Sequence, residues 1–237
     1  MTPNSPLRSG SVPAMAGLAA ASTMAADMAA RKDRLSRLKA RTPKPGEASF
    51  FFYDAHFQNE AVKILPGEYF VFDEDMIIMT TLGSCIATCL WDRNARVGGM
   101  NHFMLPDNGG GASDSGRYGS FAMELLINEM LKMGASRMTL EAKVFGGGAV
   151  IAGMNTINVG ERNTKFVMDY LKTERIPVVS KDVLEIYPRK VCFFPQSGKA
   201  MVKRLAPTNP DAIVAQERIA AQKAAVPAAS GGSIDLF

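Results

Sequence analysis

Cys85 and His102 are the residues whose types and spacing suit covalent chemistry. They lie on two apolar runs of β-favouring residues that flank the polar segment Asp92-Arg93-Asn94-Ala95-Arg96. That is the pattern of a β-hairpin. A turn centred between Arg93 and Asn94 places Cys89 opposite Gly98, Ala87 opposite Met100 and Cys85 opposite His102. Directly opposed residues project from one face with Cβ atoms roughly 5 Å apart, which is the spacing a thiol nucleophile and its base need. Gly83-Ser84, just before the cysteine, can turn backbone N–H groups toward an oxyanion. A one-residue bulge would carry His102 to the other face and undo the pairing.

Other uses of these residues fit less well. A cysteine or histidine taken alone is more often simply buried. Cys89 shares the face of Cys85, but in this register it meets Gly98 and no base. A zinc site built from Cys85, Cys89 and His102 lacks a fourth ligand and finger spacing. On one strand Cys85 and Cys89 stand roughly 13 Å apart, beyond disulfide reach, which argues against a thiol redox pair. Gly146-Gly147-Gly148 matches neither dinucleotide nor P-loop spacing and reads as a tight backbone passage beside the cysteine. Cys192 lies in the apolar run Val191–Phe194 and reads as a structural thiol. His56, within the aromatic cluster Phe50–Phe57, has no metal or triad partner in sequence and belongs to a segment expected to cover a sheet edge.

Leu82-Gly83-Ser84-Cys85, the Leu90-Trp91-Asp92 that follows, and Gly98-Gly99-Met100-Asn101-His102-Phe103-Met104-Leu105-Pro106 resemble the signature of the CheD chemoreceptor glutamine deamidases. The likeness extends through Val144–Gly148, Asn158–Asn163 and Pro188–Val191, and covers about residues 60 to 205. It implies a cysteine protein-glutamine deamidase that converts glutamine side chains of methyl-accepting chemoreceptors to glutamate in bacterial chemotaxis. Cys85 would be the nucleophile and His102 the base. The family also uses a threonine upstream of the cysteine; Thr80 and Thr81 are both available, with Thr80 preferred. Val183-Leu184-Glu185 departs from relatives that often carry glycines there, which bears on loop shape. The resemblance implies no cofactor and no metal, and a CheC-type phosphatase as a further partner. A non-catalytic docking module of the chemotaxis apparatus is the alternative.

Length and a hydrophobic share of 47% suit a globular chain. The net charge of +4 is misleading as a whole-chain property. Residues 1–50 carry eight Lys and Arg against Asp27, Asp33 and Glu47, and the remainder is close to neutral, so nothing suggests nucleic-acid binding. Three cysteines are too few for a disulfide framework and suit a reducing compartment. The Ala- and Met-rich stretch Pro13–Ala30 makes a poor secretory core and is too interrupted for a membrane span. A cytoplasmic location follows as the expectation.

Three segments are expected: a basic, Ala-rich extension over 1–48, helical about Met24–Lys39; a deamidase domain over 49–206; and a tail over 207–237. The fold class is α+β, with layered mixed or antiparallel sheets and flanking helices, and the resemblance suggests the layered fold that CheD proteins share with cytotoxic necrotizing factor toxins. Strands are expected at Glu68–Phe72, Met76–Thr81, 85–104, Met138–Phe145, Ile176–Val179, Lys190–Pro195 and Ala200–Leu205. Helices are expected at Phe121–Met133 and Asn158–Arg175, and Pro106–Ser120 reads as a loop near the site. Arg162 and Asn163 either line the site or cap the helix. In the tail, Asp211–Ala225 reads as a helix and Ile234-Asp235-Leu236-Phe237 as a docking peptide or a frayed end.

Overall fold

Alternating side chains make strands of most of the apolar runs, and the alternation settles which layer each residue enters. The computed structural model describes residues 31, 33–105, 112–150, 156–206, 215 and 219. The chain divides into two compact units, Met1–Thr42 and Pro43–Phe237. In the first, residues 33–40 form helix α1, where Arg37 pairs with Asp33 one turn back at 3.2 Å. Half of the helix expected over Met24–Lys39, the tail helix over Asp211–Ala225 except 215 and 219, and the Ile234–Phe237 peptide lie outside the described residues.

The second unit runs β1 (Phe50–Asp54), β2 (Asn59–Lys63), β3 (Tyr69–Phe72), β4 (Ile77–Leu82), β5 (Ile86–Asp92), β6 (Val97–Phe103), α2 (Ala112–Lys132), β7 (Leu140–Gly146), α3 (Thr156–Thr173), β8 (Val178–Val183), β9 (Arg189–Phe194) and β10 (Lys199–Arg204). Among the described residues ten strands form two five-stranded mixed sheets, ordered β1-β2-β4-β9-β10 and β3-β6-β5-β7-β8, in which β2–β4 and β7–β8 are the parallel strand pairs. The expected α+β class is borne out. Among the described residues no helix is long and apolar enough to cross a membrane.

Both described helices of this unit cover one face of the second sheet. Leu126, Ile127 and Met130 of α2 and Val167 and Leu171 of α3 share a core with Ile86, Leu90 and Phe103. The opposite face of that sheet meets the first sheet. Phe51 of β1 lies edge-on to Phe70 of β3 at 5.5 Å between ring centres, and Ile78, Phe193 and Met100 are fully buried. The outer face of the first sheet carries a smaller cluster of Ala61, Ile77, Met79 and Cys192, flanked by Phe52, Phe57 and Phe194.

Three expectations are corrected. The β5–β6 register pairs Ala87 with His102 and Cys89 with Met100, two residues from the expected pairing. A two-residue turn would need positive φ at least at its first central residue, Arg93, which does not adopt it. The chain instead uses a four-residue connection in which Asp92 Oδ1 accepts from the N–H groups of Asn94 (2.8 Å) and Ala95 (3.1 Å), and only Arg96 turns left-handed, with φ 55°. Second, α2 begins at Ala112, inside the expected loop. Its Gly119 explains this: a Cβ there would stand 2.5 Å from Phe166 and 2.7 Å from Leu105, so the glycine that signals a loop serves as a packing contact between helices. Third, the aromatic segment is itself the edge strand β1, paired with β2.

Asp92 also accepts from the Ser136 N–H (2.7 Å) and the Thr139 hydroxyl (2.6 Å), joining the hairpin to the approach to β7. Burial disfavours its charge, but these hydrogen bonds together outweigh burial and hold its pKa below the ordinary carboxylate value. Asp92→Ala should therefore cost about 3 kcal/mol in urea denaturation at pH 7. A depressed folded-state pKa contributes in full above the unfolded value near 4 and is lost as pH falls through the folded one, so the gap between parent and variant should narrow below about pH 4.

Candidate active site

Two connections pass from the first sheet to the second, and the chemistry-bearing residues gather where they run. One is Ile64–Glu68, between β2 and β3; the other is Gly83–Cys85, between β4 and β5. The first is stitched to both sheets: the Ile64 N–H donates to the Met79 carbonyl (2.9 Å), the Gly67 N–H to the His102 carbonyl (2.7 Å) and the His102 N–H to the Glu68 carbonyl (2.9 Å).

Thr80 points from β4 into the space between the sheets, and His102 points into it from β6. Both are 2% exposed, so their polar atoms must find partners inside the protein. The Thr80 hydroxyl donates to the Ile64 carbonyl (2.9 Å) and lies 2.8 Å from Nδ1 of His102. A hydroxyl has one hydrogen and a carbonyl only accepts, so Nδ1–H donates to Thr80 Oγ1. The neutral ring thus carries its proton on Nδ1 and keeps Nε2 as the basic nitrogen. Thr81, next along the strand, faces the opposite side of its sheet.

Cys85 is fully buried at the end of the Gly83–Cys85 turn. The register shift of two residues preserves the alternation within β5, and the same alternation carried one residue before Ile86 sets Cys85 on the His102 face as its diagonal rather than its direct neighbour. All three carbonyls of the turn are held. Gly148 N–H donates to Gly83 O (2.7 Å), Asn163 Nδ2 to Ser84 O (2.9 Å) and Gly147 N–H to Cys85 O (2.8 Å). No described peptide is cis. Because a trans unit sets N–H opposite C=O, the Ser84 and Cys85 N–H groups point away from the glycine run and α3.

Only glycine fits this backing. At Gly146 (φ 113°) a Cβ would stand 2.1 Å from Cys85 O, and at Gly147 (φ 68°) it would stand 2.3 Å from the Thr164 hydroxyl. The run is the tight passage beside the cysteine that its spacing suggests. Behind it, the Leu184 N–H donates to Gly146 O (2.8 Å) and the Ala149 N–H to Glu185 O (2.7 Å). Leu184 and Glu185 both have φ 64°, which accounts for glycine being suited to these two positions. Arg189, fully buried, holds their loop by donating to Leu184 O (2.6 Å), Tyr187 O (2.9 Å) and Asp182 (2.9 Å). Burial works against the Asp182 charge, but Arg204 and Arg189 more than compensate and lower its pKa.

The remaining candidates separate cleanly. Cys89 opposes Met100 within the same layer, where burial drives its pKa far upward despite Lys143. Such a thiol stays protonated and inert. Cys192 lies on the far face of the first sheet, and burial raises its pKa too. His56 packs edge-on against Phe57 at 4.8 Å, away from the site. Among the described residues no three His, Cys, Asp or Glu side chains are grouped to hold a metal. Asn163 is fully buried in the body of α3, bridging to the cysteine turn rather than capping the helix.

Arg189 and Tyr118 escaped sequence reasoning. Arg189 stands within a matched motif, but nothing in the sequence alone says that it is buried. Tyr118 falls in a stretch that reads as loop. Burial first, and then the nearby Cys85 charge, raise the pKa of its phenol. A pocket of about 110 Å³ beside it is lined by Gly67, Tyr69, Asn101, His102 and Leu125. Tyr69 and Asn101 face the helices, so this pocket borders the site from behind the His102 backbone.

The family model described as CheD chemotactic sensory transduction matches residues 104–204. A relative from Albidiferax ferrireducens, named probable chemoreceptor glutamine deamidase CheD 1, is 64% identical over 86% of this chain and 87% of its own length. A probable chemoreceptor glutamine deamidase CheD from Janthinobacterium sp. (strain Marseille) is 50% identical, covering 80% and 95%. A Shewanella oneidensis counterpart is 51% identical, covering 78% and 92%.

The backing can be tested from both directions by urea denaturation. Gly146→Ala should lose about 3 kcal/mol, through both its left-handed φ and its contact with Cys85 O. Leu184→Gly should instead gain about 1 kcal/mol by relieving a left-handed residue.

Proposed function

The chain belongs to the CheD family, and we propose that it is a cysteine protein-glutamine deamidase of bacterial chemoreceptors that uses Cys85, His102 and Thr80. The observation that carries the residue assignment is the Thr80–His102 hydrogen bond, because it leaves Nε2 of a buried imidazole as the base on the Cys85 face.

His102 Nε2 takes the Cys85 proton, and the thiolate attacks the carboxamide carbon of a receptor glutamine. The tetrahedral oxyanion rests against the N–H groups of Ser84 and Cys85, directed by the held Gly83 and Ser84 carbonyls of their peptide units. His102 returns the proton to nitrogen as the C–N bond breaks, releasing ammonia and leaving a thioester on Cys85. Water, losing a proton to His102, attacks the thioester; glutamate departs and the thiol is restored. Through both halves Thr80 keeps Nδ1 protonated, filling the orienting role that a carboxylate or amide fills in other triads. Burial sharpens each of these charge interactions by excluding water.

A side-chain amide on a receptor helix suits such a site, since it can enter without unwinding the backbone that carries it. The enzyme then works in the cytoplasm, where chemoreceptor signalling helices lie and thiols stay reduced. A CheC-type phosphatase is the further partner suggested by the family resemblance.

Peptide mass spectrometry of a glutamine-bearing chemoreceptor cytoplasmic fragment tests the reading. The parent should convert Gln to Glu; Cys85→Ala should lose at least about 10³-fold in rate, and His102→Ala comparably. Thr80→Val should lose about 10- to 100-fold while Thr80→Ser retains most activity, because only the hydroxyl holds the tautomer. Full turnover by Cys85→Ala would discard the mechanism. Receptor binding without conversion by the parent would favour a docking module instead.

A further inference from the structure

Asn163 touches the nucleophile turn from α3, yet its side chain gives or takes no proton and forms no bond to substrate in the proposed chemistry. It is fully buried in α3, a position where an amide must satisfy both ends. Its Nδ2 donates to Ser84 O at 2.9 Å, and its Oδ1 accepts from the Leu105 N–H at 3.0 Å. The partners dictate the amide orientation, since a carbonyl only accepts and a backbone N–H only donates. One amide therefore joins the turn bearing Cys85 to the chain three residues beyond His102.

The Ser84 carbonyl and the Cys85 N–H belong to one peptide unit. In a trans unit the two bonds point in opposite directions, so a donor fixed on the carbonyl also aims the N–H. A hydrogen bond to the carbonyl polarises the unit and strengthens its N–H as a donor. The neighbouring carbonyls are held by the backbone N–H groups of Gly147 and Gly148, which substitution of a side chain leaves in place. Of these three hydrogen bonds, the one to Ser84 O is made by a side chain.

We propose that Asn163 is a positioning residue for the deamidation step, aiming and polarising the Cys85 N–H toward the oxyanion through its hydrogen bond to the Ser84 carbonyl. The inference rests on the deamidase reading above, and it assigns Asn163 to oxyanion stabilisation rather than to thiol activation. Those two roles respond to different measurements. Alkylation of Cys85 by iodoacetamide needs the thiolate but develops no oxyanion, whereas amide attack needs both.

The test compares full-length parent, Asn163→Leu and Asn163→Asp, each checked for a cooperative thermal transition. It measures kcat and KM for conversion of a receptor fragment, and the pH profile of iodoacetamide labelling of the Cys85 peptide by mass spectrometry. Asn163→Leu should lower kcat about 10- to 100-fold, below the full loss of one oxyanion donor, with KM and Cys85 labelling within about twofold of parent. Asn163→Asp keeps the acceptor for Leu105 but loses the donor when ionised. Its deficit relative to parent should shrink as pH falls and the protonated carboxyl donates to Ser84 O; it also carries the test if the leucine variant does not fold. Turnover within about twofold of parent by folded Asn163→Leu at neutral pH, or by Asn163→Asp at a pH where its carboxyl is ionised, would overturn the proposal. So would a loss of Cys85 labelling that parallels the loss of kcat, since that marks a displaced nucleophile. Failure of the parent to show Cys85-dependent turnover would instead remove the deamidase reading, and this inference with it.

Discussion

The hydrogen bond between Thr80 and His102 spans two sheets, and it constrains everything built around it. Its donor and acceptor come from strands with no ladder between them, so their 2.8 Å separation depends on how closely the sheets pack. Residues without bulk at the contact make that approach possible. A Cβ on Gly98 of β6 would fall 2.5 Å from Pro195 Cα and 2.9 Å from the Phe193 ring. The edge-on Phe51–Phe70 pair fills the same layer where the sheets are farther from the site. Interior packing of this density carries local shifts to its neighbours, so substitutions in the inter-sheet core are felt at the imidazole.

Cys85 depends on a different kind of constraint. It lies in a turn, where regular pairing holds nothing, yet each carbonyl of that turn has a specific donor. The glycine run gains its meaning here. Its positive φ angles at Gly146 and Gly147 and its lack of side chains let two backbone N–H groups reach the turn, and the Arg189 network fastens the loop behind it. Cys85 and Cys89 are both buried, so placement is what distinguishes the two thiols. Cys89 is sealed among apolar neighbours in the strand, whereas Cys85 occupies one of the turns that join the layers.

Much of the strand and helix content is legible in the sequence because it depends on local periodicity. Met76–Thr81, the 85–104 hairpin, Lys190–Pro195 and the α3 segment all show it, and the observed elements differ from expectation by one or two residues at most ends. The common face of Cys85 and His102 is legible for the same reason: strand alternation has period two, and an error of two residues in register leaves faces unchanged. Motif resemblance places the chain in its family, since the matched residues are contiguous short strings.

What only the tertiary structure decides are relations between segments remote in the chain. Thr80 rather than Thr81 faces His102 because β4 presents alternate residues to the other sheet, and which face looks inward is set by the sheet's partner. The exact hairpin register follows from the Asp92 hydrogen bonds, which also engage Ser136 and Thr139 far along the chain. α2 starts early because Gly119 meets Phe166 on another helix. Asn163 reaches the cysteine turn across 79 residues of sequence. Periodicity records whether a residue is buried on its own element; it holds no information about what the fold brings against it, and that is where the candidate site is assembled.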